Sequence, residues 1–539
     1  MTDKPLILMP EDIQRIMGKD AQRNNIAAAK MIAEIVKTTL GPKGMDKMLV
    51  SPTNDIIVTN DGVTILEEMH IEHPAAKMMV EIAKTQETEV GDGTTTSVMI
   101  AGKLLENAEK LLDKKIHPTV ITKGYRIAAE KSQEILNDIA LRITRDDDEI
   151  LRQIAMTAMT GKGAEASKEK FADIIVRAVK QISSSEDNFK VDLNDIKIEK
   201  SKGDGIEDTE LISGIVFDKE KISHEMPSIV NGARIALIDI PIELKNPEID
   251  TKVSISSPEQ LHGFLEQEER EIRKMIDTIK SSGANVVFCQ KGIDDFANYL
   301  LSKEGVYACR RVSRSDMEKL SKATGARIIS NFSELTNAEL GYAEIVEEIK
   351  HGEDNLTCVR GCRNPKALTI LIHGGTSHVM DEIERAMRDG LGDVICSLKY
   401  GLVVPGGGAV EIELARRLRE FSQSLSGRER LAIEEFASAL ESIPIALAEN
   451  AGLDPIDILT ELKSRHDLGE KNTGLNLLTN KIENVLESRI IEPLKIKSQA
   501  IKSATDVCVM ILRIDDVIAS SGKSKTDNKS MSQYSGDFE

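Results

Sequence analysis

Apolar residues return at the helical period across residues 11–40, where Met31, Ile32, Ile35, Val36 and Leu40 fall near one face, and the run stops at Gly41-Pro42. This spacing predicts one helix, ended by a glycine and a proline that cannot continue the ladder. Two short apolar runs, Lys47–Val50 and Ile56–Thr59, flank Ser51-Pro-Thr-Asn-Asp and predict a hairpin. A loop at Asn60-Asp61-Gly62 then leads into a helix from about Val63. Residues 94–112 put Val98, Leu105, Ala108 and Leu112 on one stripe, with Gly91-Asp92-Gly93 directly before them. That is a glycine-rich loop opening a helix.

The pattern changes in the middle third. Between about Gly214 and Pro365, short β-branched runs such as residues 234–239 and 284–289 alternate with helical stretches, the mark of an α/β domain. Residues 258–280 are dense in charge yet carry Leu261, Phe264, Leu265, Ile272, Met275, Ile276 and Ile279 on one face. An amphipathic helix of this kind either packs on its own domain or projects to meet partners. After Gly401 the chain reads as helical again, over residues 409–425, 429–450 and 482–513, and from about Ala519 it is polar and expected to be disordered. Helical outer thirds around a mixed middle predict an α/β multidomain protein with one domain inserted into another.

A length of 539 residues fits about three domains at roughly 100–200 residues each. The balance of 70 Lys+Arg against 89 Asp+Glu, a formal charge of -19, argues against nucleic-acid or anionic-membrane binding, which favour basic surfaces. No apolar run approaches the roughly 20 residues of a membrane helix, and the first residues lack a signal-peptide pattern, so a cytoplasmic protein is expected. Aromatics are only 3% of the chain, so its core must rest on aliphatic residues and 19 Met. Six scattered cysteines form no disulfide framework, and Cys358 with Cys362 is a lone C-x3-C, better read as buried thiols than as a zinc site.

Three glycine loops are candidates for holding an anion on backbone N–H groups: Leu40-Gly41-Pro42-Lys43-Gly44, Gly91-Asp92-Gly93-Thr94-Thr95-Thr96 and Pro405-Gly406-Gly407-Gly408. The second adds three hydroxyls and a carboxylate to a helix start. Phosphate would repel Asp92 unless a cation lay between them, so the set implies Mg2+; an ordinary turn and cap is the plainer alternative. Two familiar motifs fail on spacing. Gly522-Lys523-Ser524 has Val517 where a P-loop needs glycine, and Gly91-x-Gly93-x-x-Thr96 lacks the third glycine of a dinucleotide fingerprint. Asp61 follows a strand, and Asp389 is read near the end of a charged helix; each alone would be a solvated acid.

At Leu40-Gly-Pro-Lys-Gly-Met-Asp-Lys-Met-Leu, Asn60-Asp-Gly-Val-Thr-Ile-Leu, Gly91-Asp-Gly-Thr-Thr-Thr, Val404-Pro-Gly-Gly-Gly-Ala and Ile491-Glu-Pro-Leu, the chain resembles the chaperonins over about residues 9–520. Stretches such as Thr209-Glu-Leu-Ile-Ser-Gly and Ser498-Gln-Ala-Ile-Lys-Ser-Ala resemble the group II branch, and within it the archaeal thermosome rather than its eukaryotic cytosolic relatives. The resemblance implies a helical equatorial ATPase domain (residues 1–145 and 405–522) and a small intermediate hinge domain (146–213 and 369–404). It further implies an α/β apical substrate-binding domain (214–368) whose helical protrusion at about 248–280 serves as a lid, and a disordered tail (523–539).

The family's roles carry over to matching positions. Thr39, Leu40, Gly41 and Pro42, with Asn60, match the nucleotide loops; Asp92 matches the Mg2+ ligand; Gly93, Thr94, Thr95 and Thr96 match the phosphate cradle. Gly407 and Gly408 match the adenosine side and Glu492 the ribose partner. Asp61 and Asp389 match the carboxylates that activate water, and Lys162 matches a γ-phosphate sensor. The implied function is an ATP-dependent chaperone that folds non-native proteins in a double ring of eight or nine homologous subunits per ring. Two alternatives stay open: a non-hydrolysing structural or regulatory paralogue in a hetero-oligomeric ring, and an unrelated kinase.

Overall fold

The computed structural model describes residues 13–51, 54, 56–163, 167–183, 191–202, 205–243, 258–351, 354–363 and 365–520. The expected tail at 523–539, most of the hairpin turn, and the part of the expected protrusion at 248–257 lie outside the described residues.

Helices from both ends of the chain share one hydrophobic core. Gly18–Lys37, Pro74–Val90, Thr94–Asp113 and Pro118–Ile139 pack with Ala409–Gln423, Glu429–Leu440, Ser442–Asn450 and Leu494–Leu512. Thr94–Asp113 is central, and its Val98, Ala101, Leu104, Leu105 and Ala108 are fully buried. The hairpin Lys47–Val50/Ile56–Thr59 forms as the pattern predicts.

A second core joins Asp148–Met159, Lys168–Ile182 and Ser377–Tyr400 to a three-stranded sheet. In that sheet Leu368–Gly374 runs parallel to Ile196–Lys202 and antiparallel to Glu210–Ile212.

The middle of the chain builds a seven-stranded sheet. Its order is Tyr307–Cys309, Val286–Cys289, Ile229–Ile238, Gly341–His351, Asp354–Arg360, Gly214–Phe217, with Ile328–Ile329 also pairing Ile229–Ile238. Successive side chains point to opposite faces: Ile235 and Leu237 meet Met317 and Leu320 of Arg314–Thr324, while Ala236 and Ile238 join the core containing Ile272, Ile276 and Ile279. Those three isoleucines belong to the amphipathic helix, which runs Pro258–Ser282. Burying each contributes about 1.5–3 kcal/mol, so the C-terminal half of that helix packs on its own sheet.

Three expected helices differ. Residues 13–17 are a strand, Ile13–Met17, paired antiparallel with Asp516–Ser520; only a partner some 500 positions away makes these residues extended. The 429–450 run is two helices that break at Glu441, held by Arg419 and Lys463, with Pro444 in the first turn of the second helix. The 482–513 run opens with two strands, Lys481–Asn484 and Ile491–Pro493, and turns helical only at Leu494, because the residue before Pro493 is pushed away from the helical region. A helix at Pro455–Asp467 and a hairpin pairing Thr473–Asn476 with Lys481–Asn484 were not anticipated. Among the described residues no helix is long and apolar enough to cross a membrane. All six cysteines are buried free thiols.

Glu413 fastens these later elements. It is fully buried, accepts from Arg416 Nη2 at 2.8 Å and Arg417 Nε at 2.7 Å, and lies 3.1 Å from His466 Nδ1, while His466 Nε2 reaches the Thr473 carbonyl at 2.8 Å. Burial alone would push its carboxyl up, but the bonds from His466, Arg416 and Arg417 outweigh that and hold it far below the usual carboxylate range. Glu413→Leu should therefore destabilise the protein by about 3–5 kcal/mol in thermal unfolding near neutral pH. Since the folded carboxyl is depressed, its contribution is complete above the unfolded value of about 4.3 and fades as pH falls below it, so the gap between the two proteins should narrow in acid.

Candidate functional site

The turn Gly91-Asp92-Gly93 links two long helices, and Gln86 holds it in shape: its amide nitrogen donates to the Asp92 carbonyl at 2.8 Å and to the Ile496 carbonyl at 3.2 Å. The helix Thr94–Asp113 thus starts with its unpaired N–H groups and positive dipole end at the turn. Opposite lies the loop after Gly18–Lys37, where Asn450 Nδ2 donates to the Lys37 and Leu40 carbonyls at 3.0 and 2.9 Å. A third loop, Thr160 to Lys162, touches it. Gly161 has φ +82°, and a side-chain carbon there would lie 2.4 Å from Pro42 Cα, so only glycine permits this approach. Asn60 Nδ2 donates to the Gly161 carbonyl at 3.2 Å.

These loops enclose a cavity of about 230 Å³. Thr39 through Pro42, Asn60, Asp61, Asp92, Gly93, Thr94, Thr95, Thr96, Lys162, Gly407, Gly408 and Glu492 all line it. Asp389 does not. It borders a second cavity of about 390 Å³, which Asp61 shares with it, and it joins the first through an ion pair with Lys162. Asp389 also lies mid-helix rather than near a helix end, since Ser377–Tyr400 continues through Gly390 and Gly392. At Gly392 this helix comes up against the turn: a side-chain carbon there would lie in ordinary contact, 3.5 Å from Gly91 Cα.

Electrostatics dominate the cavity's end. Lys162 Nζ pairs with Asp389 and stands 3.9 Å from Asp92. Burial opposes its charge, but Asp389, Asp92 and Asp61 outweigh burial and hold the ammonium protonated, above its ordinary value. Burial pushes the Asp389 carboxyl up to about 7, with Asp92 and Asp61 adding to it and Lys162 pulling back. Asp61 caps the helix Gly62–Glu68, accepting from the Thr64 N–H at 2.9 Å and the Thr64 hydroxyl at 2.7 Å. Beside Gly407 and Gly408 in the cavity lining, Lys497 Nζ pairs with Glu492 at 2.7 Å and Glu411 at 2.9 Å.

Sequence reading missed Lys497, Gln86, Asn450, Glu87 and Asp393. Glu87, pushed up to about 8 by burial and by Asp389, Asp61 and Asp92, borders the second cavity. Asp393 lies four residues after Asp389 on the same helix face, a spacing that was readable. Burial raises its carboxyl well above the usual range, with Asp92 and Asp389 adding to it.

Among the described residues no group of three His, Cys, Asp or Glu forms a ready metal cage. The donor set fits a nucleotide-borne Mg2+ instead, which needs one or two carboxylates and takes its other oxygens from phosphates and water. The free N–H groups and hydroxyls of Thr94 to Thr96 suit the phosphates themselves.

A family model described as the TCP-1/cpn60 chaperonin family matches residues 32–521. The chain belongs to this family. The chaperonin is 55% identical over 523 residues to a thermosome subunit of Methanopyrus kandleri, covering 97% of this chain and 96% of that one. It is 56% identical over 524 residues to a thermosome subunit beta of Archaeoglobus fulgidus, with the same coverage of both chains. A solved open-state monomer of a group II chaperonin from Methanococcoides burtonii is 48% identical, with TM-score 0.59, covering 79% of this chain and all of that one. The resemblance carried by the glycine loops therefore holds, and the chaperonin is of the archaeal group II type.

Lys162 is the cation that holds the Asp389 carboxyl down, so Lys162→Met should raise that carboxyl further and keep it protonated at neutral pH. Infrared difference spectra against Asp389→Asn should then show the ionised-carboxylate band lost.

Proposed function

We propose that this chaperonin binds ATP with Mg2+ in the cavity between the glycine loops and hydrolyses it to drive the folding of non-native proteins in the cytoplasm. The observation that carries the reading is the convergence of three loops from distant parts of the chain on one cavity, with a carboxylate, an ammonium and free helix N–H groups at one end.

Each residue has a task that its surroundings support. Thr94, Thr95 and Thr96 offer N–H and hydroxyl donors to phosphate oxygens, and Asp92 is the carboxylate for Mg2+, which when bound neutralises phosphoryl charge. Gly407 and Gly408 give the adenosine side a wall without side chains, and Glu492 offers a carboxylate oxygen to the ribose. Asp61 and Asp389 flank the space beside Lys162, where they orient a water and take its proton. Lys162 answers to the γ-phosphate: a phosphate there competes with Asp389 for the ammonium, and losing that partner raises the proton affinity of Asp389, so that it draws the proton of the attacking water.

Asp389 and Lys162 belong to the second core, whereas Asp61 and Asp92 belong to the helical core. Hydrolysis on this reading requires the two to meet, which links ATP chemistry to domain movement. On the division that the resemblance implies, the helical core would be equatorial, the second core intermediate and the seven-stranded sheet apical. The segment around 248–280 would act as the lid, and subunits would assemble as a double ring of eight or nine per ring. Asp61, Asp92 and Asp389 are all present, and nothing favours a non-hydrolysing paralogue.

Asp389→Ala should lower ATP turnover by at least about 100-fold while leaving ADP binding intact. Steady-state hydrolysis and calorimetry on the purified protein check both halves, and retained turnover would refute the assignment.

A further inference from the structure

Asp393 is the most anomalous side chain at the site. It is 2% exposed, yet it lines the nucleotide cavity, and its Oδ1 has no hydrogen-bond partner. Buried carboxyls are ordinarily bonded to a donor or paired with a cation. The charged groups that act on it are Asp92, Asp389 and Glu492, all acidic, and one cation, Lys162, which is already engaged by Asp389 and Asp92. Leu391, Val394 and Ile395 of the same helix turn into the second core, whereas Asp393 lines the cavity.

Two features place this carboxyl beside the expected cation position. Its helix lies against the Gly91-Asp92-Gly93 turn through Gly392, the residue before it, and Asp92 heads the acidic groups acting on it. A divalent cation held by Asp92 would reverse the sign of that environment and give the orphaned oxygen a partner.

We infer that Asp393 is a second carboxylate for the divalent cation that enters with the nucleotide, a positioning residue that holds one of the cation's bound waters beside Asp92. Mg2+ keeps several waters, and carboxylates that orient them set the metal's hold without replacing a phosphate ligand. The inference rests on the nucleotide reading above.

The test uses the full-length protein with Asp393→Asn, which keeps the shape, and Asp393→Val, which suits the burial. ADP binding is measured by calorimetry in chelator, and Mn2+ binding to the ADP complex by electron paramagnetic resonance. Both variants should bind ADP without metal within about twofold of wild type and lose about tenfold or more in Mn2+ affinity. Thermal unfolding without nucleotide should be unchanged or raised in Asp393→Val, since an orphaned acid has been removed. Unchanged Mn2+ affinity with ADP still bound would overturn this inference alone, as would an equal loss of ADP binding with and without metal, which marks a purely structural role. Wild type that binds no ADP would overturn the nucleotide reading with it.

Discussion

One ammonium group set among carboxylates governs this molecule. Lys162 pairs with Asp389, reaches to within 3.9 Å of Asp92, and feels Asp61 as well. Like charges buried this close cannot all stay ionised without a counter-charge, and the three acids come from a helix cap, a glycine turn and the middle of a long helix. The cluster therefore exists only while the loop after Asp148–Met159, the helix Ser377–Tyr400 and the helical core are held against one another. A change of charge at this point is a change in the force between two cores.

The far wall repeats the arrangement. Lys497, 7% exposed, neutralises Glu411 and Glu492, so the cavity is built between two lysines, each set among acids. Acids on both walls would repel a bare polyanion, so the proposed ligand is one that brings its own cation, a triphosphate with a divalent ion. The neutral donors are backbone N–H groups and hydroxyls fixed by Gln86 and Asn450, whose positions do not depend on charge. On the proposed reading, binding and catalysis rest on different parts: fixed dipoles for the phosphates, and movable charges for the chemistry.

Much of this was legible in the residues. Glycine loops before helices announce their geometry locally, and all of the expected site residues except the catalytic candidate Asp389 line one cavity. The hairpin and the long helix after Gly93 were equally plain, because their patterns are complete within a few residues. What escaped depends on distant partners. Ile13–Met17 is extended only because Asp516–Ser520 lies beside it, and Ser377–Tyr400 runs on through Gly390, where a side-chain carbon would lie 2.8 Å from Ile175 Cδ1 of the second core. Lys497 carries no motif and Asp393 only its four-residue spacing from Asp389, and the meaning of each appears only when the opposite wall is in place.

Electron cryomicroscopy of the purified protein with Mg2+, ADP and aluminium fluoride tests the central claim directly. The account predicts density for the nucleotide between the Gly41-Pro42 loop and the start of Thr94–Asp113, its fluoride end beside Asp61 and Lys162, and Asp389 released from Lys162 toward a water. Nucleotide density elsewhere, or an undisturbed Lys162–Asp389 pair with the analogue bound, would contradict it.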